Sequence, residues 1–298
     1  MGGAGNEASG IDGGRVLAAL RRLPGIGAAV GHLEVHESVP STNALALSDT
    51  RSGLVVLALE QTSGRGRTGT SWLSPRGGLY MSYVPPGDLV PGRITDATPL
   101  AGLATADAVD GALALARAGE TGPVTRARLK WPNDVLLGGR KVAGVLVQAR
   151  TGPSEGRPPR TAIGVGINAN AHVRLPSPSE GPPALEPTCL REVAHRPVGL
   201  EPLVVGTVFG LVARLAQGLT PQSIAQYSDR CDTLGRRVSF TEGGSTVEGL
   251  AVAIDTDGAL VVEVAGATRL RVTAGEVVHV REVGRAGQAD RAGKADRN

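Results

Sequence analysis

The chain has 298 residues, of which 41% are hydrophobic and 20% charged, a composition typical of a soluble globular protein with one large domain and a smaller one. The net charge of +3 is too small to indicate nucleic-acid binding. The two cysteines, Cys189 and Cys231, have neither metal-ligand spacing nor the pattern of a disulfide framework, so we interpret both as inert. No signal peptide is recognisable, and the longest apolar stretch, residues 203–213, is too short to cross a bilayer. These features predict a cytoplasmic protein.

The first part of the chain predicts an extension followed by a sheet. Residues 1–31 are predicted to be partly disordered with one short helix, and the first strand is predicted at 32–39. This is too little chain for a three-helix DNA-binding domain. Ser41-Thr42-Asn43 follows the strand. These residues are typical of a helix N-cap, and the alternative is that their side chains project into a pocket.

A glycine-arginine loop lies between two apolar runs, residues 54–59 and 79–84, which predict strands. Its glycines let the backbone approach a ligand, and Arg65 and Arg67 supply guanidinium groups, a combination that suits a phosphate or a carboxylate. The loop cannot open a dinucleotide-binding helix, because proline and glycine follow it. It is not a P-loop either, because Thr70 occupies the lysine position. Taken alone, it is more typical of a solvated surface loop, because glycine-arginine runs are common in such loops.

The middle of the chain predicts a long helix at 94–118, a strand at 124–129 and a two-residue β-hairpin at Gly138-Gly139. The segment Lys130-Trp131-Pro132-Asn133-Asp134 displays polar side chains at a strand end, and Lys141 begins the returning strand. A further strand at 162–168 ends at Asn168, and helices are predicted at 200–219 and 221–227.

The sequence pattern changes near residue 230, from helices to short strands and tight turns. Short strands at 237–240, 246–254, 260–264, 269–272 and 277–281 alternate with Gly-Gly and Asp-Gly turns, which predicts a small five-stranded barrel. We therefore predict an N-terminal extension at 1–31, a catalytic domain at 32–230, a barrel at 231–283 and a disordered tail at 284–298.

The motifs together resemble the biotin protein ligases. They are Ser41-Thr42-Asn43, Gln61 with Gly64-Arg65-Gly66-Arg67-x-Gly69, Lys130-Trp131-Pro132-Asn133-Asp134, Lys141-x-Ala143-Gly144 and Gly164-x-Gly166-Ile167-Asn168. The resemblance spans about residues 35–282 and is closest to the monofunctional class, which has no N-terminal DNA-binding domain. It implies an α+β fold, a mixed β-sheet backed by helices as in class II aminoacyl-tRNA synthetases, with a small C-terminal Src-homology-3-like β-barrel.

The resemblance also implies a reaction and its site residues. Such enzymes use ATP and Mg²⁺ to convert biotin into biotinyl-5'-AMP, and then transfer biotin to one lysine of a biotin carboxyl carrier domain. The implied catalytic residues are Lys141, Arg65 and Arg67. The implied biotin-binding residues are Ser41, Thr42, Asn43, Gln61, Gly64, Arg65, Arg67, Lys141 and Gly144. The implied nucleotide-binding residues are Arg67, Trp72, Lys130, Asn133 and Asn168.

Some expectations stay open at the level of sequence. Asp134 is a weak candidate for a metal ligand or for orienting Lys130, and Trp131 is favoured as a core or hinge residue. The chain departs from the family pattern at Thr68 and Thr70, where relatives often carry basic residues. The expected oligomeric state is a monomer or weak homodimer, with neither DNA nor a membrane as partner.

Three other functions are possible for a chain with these motifs. A lipoate or octanoate ligase has the same broad fold, but the Ser-Thr-Asn motif and the glycine-arginine loop favour biotin, because a lipoyl chain has no ureido ring. A biotin-sensing transcriptional regulator would need a helix-turn-helix segment. A non-catalytic adaptor is disfavoured by the presence of Lys141 and Arg65.

Overall fold

A seven-stranded mixed sheet organises the larger part of the chain. The computed structural model describes residues 10–90, 93–122, 125–150, 160–173, 185–273, 275 and 277–280. The helices are Gly13–Arg21 (α1), Thr42–Ser48 (α2), Ala97–Ala116 (α3), Leu190–Ala194 (α4), Leu200–Gln217 (α5) and Pro221–Arg230 (α6). The strands are His32–His36 (β1), Leu54–Ala58 (β2), Leu79–Val84 (β3), Arg128–Lys130 (β4), Asp134–Leu137 (β5), Arg140–Arg150 (β6), Arg160–Ile167 (β7), Arg237–Glu242 (β8), Ser245–Ile254 (β9), Leu260–Glu263 (β10), Arg269–Val272 (β11) and Val278–His279 (β12).

The strand order in this sheet is β1-β2-β3-β7-β6-β5-β4. Only β1 and β2 are parallel, and the other neighbours are antiparallel. The strands β2 and β3 are buried along their whole length, because helices cover both faces of the sheet. On β2, Val55 and Leu57 face the main core with α3 and α5, while Leu54 and Val56 pack with Ala46 of α2. The predicted mixed sheet backed by helices is confirmed.

Within the described part of the chain, two helices are long and apolar enough to cross a membrane when judged by length and composition, namely Ile94–Ala116 and Leu200–Gln217. Both helices are longer than the apolar stretch at 203–213, because a few polar residues interrupt their apolar sequences. These helices pack on each other and on the sheet, and 61% of the most apolar 18 residues of the first are buried within the protein. This packing is typical of core helices in a globular protein.

The C-terminal strands form a second, antiparallel sheet in the order β11-β10-β9-β8-β12. All five predicted strands are present, but in the described residues the two outer strands do not pair with each other. The described part is thus an open sheet and not a closed barrel, and its last strand contributes only Val278–His279. The division into domains at residues 31, 230 and 283 stays a prediction. The predicted disordered tail at 284–298 and residues 1–9 of the N-terminal extension lie outside the described residues.

Trp131 joins the two sheets. Its backbone N–H donates to Thr233 Oγ1 at 3.0 Å, and its indole Nε1 donates to the Gly258 carbonyl at 2.9 Å. The side chain is 3% exposed. A cis peptide bond links Trp131 to Pro132. Because its ring and its only side-chain donor are both used between the sheets, Trp131 has the core role that the sequence favoured.

Several elements differ from the sequence prediction. The strand predicted at 32–39 ends at His36, and the helix predicted at 94–118 comprises Ala97–Ala116. The strand predicted at 124–129 is shorter, because β4 comprises only Arg128–Lys130. The helix α4 was not predicted, since its five residues are too few to show a helical period.

His279 makes stability depend on pH. Burial, followed by the positive charges of Lys130 and Arg236, lowers the pKa of His279 from 6.5 to about 4, and Asp232 opposes this shift. Its Nε2 lies 3.2 Å from Thr233 Oγ1. Between pH 6.5 and 4 the unfolded chain therefore binds a proton that the folded chain does not, so the free energy of unfolding decreases as the pH falls through this window.

We expect His279→Gln to lose this dependence. The wild type should lose about 1–2 kcal/mol more than the variant between pH 7 and pH 4.5, a value reduced from the full linkage for partial exposure. Urea unfolding at both pH values measures the difference. Equal losses in the two proteins would contradict the assignment.

Candidate functional site

A cleft opens where the glycine-arginine loop lies over β6 and β7. Its walls come from the loop after β2, the start of α2, the turn between β4 and β5 and the strand β6. The lining residues are Ser41, Thr42, Asn43, Gln61, Arg65, Gly66, Arg67, Thr70, Ser71, Trp72, Met81, Lys130, Trp131, Pro132, Asn133, Asp134, Lys141, Gly144, Val145, Leu146, Gly164, Val165, Gly166, Gly275 and Val277. Twelve of the predicted site residues are in this set, and the C-terminal part contributes residues 275 and 277.

The glycine-arginine loop folds back on itself through backbone hydrogen bonds. Trp72 N–H donates to the Gly64 carbonyl at 2.9 Å, and Gly66 N–H donates to the Thr70 carbonyl at 2.7 Å. A Cβ added at Gly64 would collide with the Trp72 carbonyl oxygen and lie 2.7 Å from Ser74 Oγ. Glycine is thus required at residue 64 by the close approach of the two sides of the loop. Gly64 itself does not line the cleft.

A network of buried polar side chains closes one end of the cleft. Gln61 Oε1 accepts hydrogen bonds from Thr42 N–H at 2.9 Å and from Thr42 Oγ1 at 3.2 Å, while Gln61 Nε2 donates to Ser74 Oγ at 2.8 Å. Ser82 Oγ lies 2.8 Å from Thr42 Oγ1 and donates to Asn43 Oδ1 at 2.6 Å. Polar groups held in this way can read the hydrogen-bonding pattern of a small polar ring.

Both sequence interpretations of Ser41-Thr42-Asn43 hold in part. Ser41 is the N-cap of α2 and accepts a long hydrogen bond, 3.5 Å, from Ala44 N–H. Asn43 donates to the Leu146 carbonyl and to Gln148 Oε1. Its amide is therefore occupied in connecting α2 to β3 and β6, although Asn43 lines the cleft.

Three glycines form the floor of the cleft. Gly144 and Gly166 are paired across β6 and β7, and Gly164 pairs with Leu146. A Cβ at Gly166 would lie 2.6 Å from Trp72 Nε1, and a Cβ at Gly144 would lie 3.1 Å from the Trp72 ring. A Cβ at Gly164 would lie 2.5 Å from Asn43 Oδ1. The glycines thus let flat groups lie directly on the sheet.

Trp72 rests on this floor with its polar atom unused. Its Nε1 is buried and has no hydrogen-bond partner among the described residues. The remaining cavity volume is about 140 Å³, which is smaller than the roughly 300–1,000 Å³ of most small-molecule sites. The Trp72 ring takes up part of the cleft above Gly144 and Gly166.

Lys141 lies at the centre of the cleft. Its Nζ is 2.7 Å from Asp134 Oδ1 and 5.1 Å from the centroid of the Trp72 ring. The strands β5 and β6 place the two residues side by side, since Asp134 pairs with Gly144 and Leu136 with Lys141 around an irregularity in the register. Asp134 is thus a partner of Lys141, and its possible role in orienting Lys130 stays a prediction. The carboxylate holds the ammonium group in position.

Arg67 and Asn133 close the opposite side of the cleft. Arg67 Nη1 lies 3.5 Å from Asn133 Oδ1, at the limit of a hydrogen bond. Asn133 Nδ2 donates to the Val145 carbonyl at 2.9 Å, which fixes the side chain against β6. Arg65 is exposed on the loop, and Lys130 lines the cleft near the end of β4.

Asn168 lies outside the cleft. It is 3% exposed, and its Nδ2 donates to the Thr188 carbonyl at 3.1 Å. In this structure it fastens the segment before α4 to the end of β7, and its predicted contact with a nucleotide stays a prediction.

Several residues of the site were missed from the sequence. Ser82, Ser74 and Gln148 complete the polar network, and Pro132 and Val277 line the cleft. A signal existed for Ser82, because a single serine within the apolar run 79–84 implies a buried polar partner. No comparable signal distinguished the others, since their places follow from how distant segments meet.

Removing the charge of Asp134 tests whether it positions Lys141. We expect Asp134→Asn to reduce kcat of the reaction in this cleft by about tenfold or more. The reason is that a charge-assisted hydrogen bond contributes about 1.5–3 kcal/mol. KM values should change little, since Lys141 keeps its charge. Steady-state kinetics with each substrate varied separates the two effects, and an unchanged kcat would show that Asp134 does not position the lysine.

Comparison with known proteins identifies the family. Residues 35–168 match the biotin/lipoate A/B protein ligase family, and residues 233–280 match the biotin protein ligase C-terminal domain. The biotin–[acetyl-CoA-carboxylase] ligase of Mycobacterium tuberculosis is 35% identical over 277 residues, which cover 87% of this chain and 93% of that protein. This chain belongs to the biotin protein ligases.

Other biotin protein ligases are also similar to this chain, in sequence or in structure. The biotin–[acetyl-CoA-carboxylase] ligase of Paracoccus denitrificans is 41% identical over 132 residues, covering 43% of this chain and 50% of that protein. Among solved structures, the Aquifex aeolicus biotin protein ligase in complex with biotin and ATP has a TM-score of 0.67 at 23% identity, covering 84% of this chain and 99% of that one. At this identity the structural likeness supports the fold.

Proposed function

We propose that this ligase activates biotin with ATP and transfers it to a lysine of a biotin carboxyl carrier domain in a biotin-dependent carboxylase. The observation that carries the proposal is the position of Lys141. It lines the same cleft as the arginine loop and the polar network around Thr42 and Gln61, and its ammonium group is held by Asp134. A cation there can contact a carboxylate and a phosphate at the same time.

Biotin would occupy the end of the cleft that the polar network closes. Ser41, Thr42 and Gln61 present hydroxyl and amide groups to the ureido ring, and the glycine floor at Gly144 lets the bicyclic body lie against the sheet. A ureido ring that matches these groups is favoured over an apolar head, because each buried polar group left unpaired costs about 1–3 kcal/mol. This network supports biotin over lipoate or octanoate, the alternative substrates within the family.

ATP would occupy the side of the cleft formed by the arginine loop. Arg65 and Arg67 lie where they can contact phosphate oxygens, Lys130 is proposed to contact the β and γ phosphates, and Trp72 is proposed to cover the adenine after leaving the floor. Asn133 and Asn168 complete the proposed nucleotide contacts.

The proposed reaction has two steps. In the first, a carboxylate oxygen of biotin attacks the α-phosphorus of ATP and pyrophosphate leaves. In the second, the acceptor lysine amine attacks the acyl carbon, AMP leaves with the electron pair, and the nitrogen loses its proton. Lys141 stabilises the negative charge on the carboxylate and α-phosphate as it shifts. Holding both substrates in line contributes about 7–11 kcal/mol to lowering the barrier.

Mg²⁺ would accompany ATP in this scheme. Asp134 is the only carboxylate among the described lining residues, and it is already paired with Lys141. The site thus fits a Mg²⁺ ion held mainly by phosphate oxygens and water, as is common for this ion. The ion would neutralise phosphate charge, while Lys141, Arg65 and Arg67 orient the substrates.

The remaining features of the proposal concern partners and location. We propose a cytoplasmic enzyme that acts as a monomer or weak homodimer, with no DNA or membrane partner. The small net charge of +3 supports this proposal.

Arg67→Gly should release the activated intermediate. We expect biotinyl-5'-AMP still to form but to escape into solution several-fold faster, because one phosphate contact of the loop is lost. The measurement is free biotinyl-5'-AMP in the filtrate after single-turnover reaction, with Arg126→Ala, an exposed cation outside the cleft, as control. Equal release from the wild type and Arg67→Gly would refute the role of Arg67.

Substrate-dependent pyrophosphate release tests the proposed function. With ATP and Mg²⁺, we expect release with biotin and little with lipoate or octanoate. Release with lipoate alone would assign the protein to the lipoate ligases, and no release with any of them would refute the ligase proposal.

A further inference from the structure

A cluster of potential metal ligands lies outside the cleft. The ligand atoms of His172, Cys189 and Glu192 all lie within 4.8 Å of one another. His172 follows β7 and is exposed, Cys189 is fully buried, and Glu192 lies in α4 and is partly buried. The activity proposed above uses none of these three side chains.

The carboxylate of Glu192 is already oriented toward the cluster. Its Oε1 accepts a hydrogen bond from the Arg140 guanidinium, while its Oε2 lies 3.7 Å from His172 Nδ1. The Arg140 guanidinium thus holds the Glu192 carboxylate next to the His172 ring. Hydrogen-bonded carboxylates of this kind are typical of metal sites, because the outer partner fixes the ligand.

Hydrogen bonds also hold the backbone on both sides of Cys189 in place. Leu190 N–H donates to the Asn168 carbonyl at 2.9 Å, and Asn168 Nδ2 donates to the Thr188 carbonyl at 3.1 Å. The residues on both sides of Cys189 are thus attached to the end of β7. The sulfur therefore needs no large rearrangement to approach His172 and Glu192.

We propose that Cys189, His172 and Glu192 bind one Zn²⁺ ion, with water as the fourth ligand. One sulfur, one nitrogen and one oxygen donor form a set that Zn²⁺ accepts and that Ca²⁺ and Mg²⁺ do not favour. Binding displaces the thiol proton of Cys189 to solvent, and His172 binds as the neutral imidazole.

The site would connect to the proposed active centre through the backbone. Thr188 N–H donates to the Lys141 carbonyl at 2.9 Å, and Lys141 N–H donates to the Glu186 carbonyl at 2.8 Å. The segment leading into Cys189 therefore pairs with the residue that carries the central ammonium group. A metal that links His172 to Cys189, seventeen residues apart in sequence, fixes this segment against β6.

Cobalt substitution tests the site directly. Co²⁺ added to the reduced, full-length protein should give a thiolate-to-cobalt absorption band in the near ultraviolet, and Zn²⁺ should abolish the band by displacing Co²⁺. The band should be lost in Cys189→Ser and retained in Cys231→Ser, a matched control because Cys231 is equally buried and lies beside β4. His172→Ala should weaken Co²⁺ binding by about tenfold or more.

His172→Ala also keeps the proposal testable if Cys189→Ser does not fold, since the His172 side chain is 67% exposed. The melting temperature of the wild type should rise with Zn²⁺, and that of His172→Ala should not. Absence of the band in the wild type, its persistence in Cys189→Ser, its loss in Cys231→Ser, or unchanged Co²⁺ affinity in His172→Ala would each overturn the proposal.

Discussion

Lys141→Ala should reduce formation of biotinyl-5'-AMP by about 10²–10³-fold, the usual cost of removing one preorganised group that stabilises transition-state charge. The Lys141 ammonium lies 2.7 Å from Asp134 and faces the cleft, so its loss leaves the Asp134 carboxylate unpaired beside the phosphate. Biotin binding should persist, because the network of Thr42, Gln61 and Ser82 does not involve Lys141.

Two measurements separate these effects. Single-turnover pyrophosphate release gives the rate of activation, and isothermal titration gives the affinity for biotin. Arg126→Ala provides the control for loss of a positive charge, since its side chain is 58% exposed and lies outside the cleft. Near-normal activity of Lys141→Ala would remove this residue from the reaction.

Gly64→Ala should lower kcat/KM for activation by about 10²-fold, because a displacement of about 1 Å in a positioning loop has an effect of this size. The added methyl group would collide with the Trp72 carbonyl oxygen. This atom belongs to the backbone, so the methyl group can be accommodated only if the two sides of the loop separate. Such a separation breaks the hydrogen bond between Trp72 N–H and the Gly64 carbonyl and moves both arginines.

Gly66→Ala is the matched control in the same loop. Its methyl group would collide with Thr70 Oγ1, which belongs to a side chain that can rotate. We therefore expect a loss of only a few-fold in kcat/KM, with unchanged melting temperatures for both variants because the loop lies outside the core. Equal losses in the two variants would show that the loop does not depend on the close approach at Gly64.

The sequence predicted the strands and long helices well, because the signals are local. The apolar runs at 54–59 and 79–84 predicted strands, and β2 and β3 occupy these positions. Gly138 and Gly139 have positive φ values, as the predicted two-residue hairpin requires. The helix α4 has too few residues to carry such a pattern.

The motifs of the site were recognisable in the sequence, but the contacts between their side chains were not. Asp134 and Lys141 are neighbours because β5 and β6 pair around an irregularity, and a shift in register cannot be derived from residue types. The resting place of Trp72 on Gly144 and Gly166 likewise depends on three segments meeting. Asn168 ends a strand as predicted, yet its side chain turns toward Thr188 and away from the cleft.

Mass spectrometry of a biotin carboxyl carrier domain incubated with the ligase, ATP, Mg²⁺ and biotin tests the central claim most directly. The account predicts one biotinyl group per carrier domain, attached to a single lysine, present with the wild type and nearly absent with Lys141→Ala. An unmodified carrier after incubation with the active wild-type protein, or modification only when lipoate replaces biotin, would contradict it.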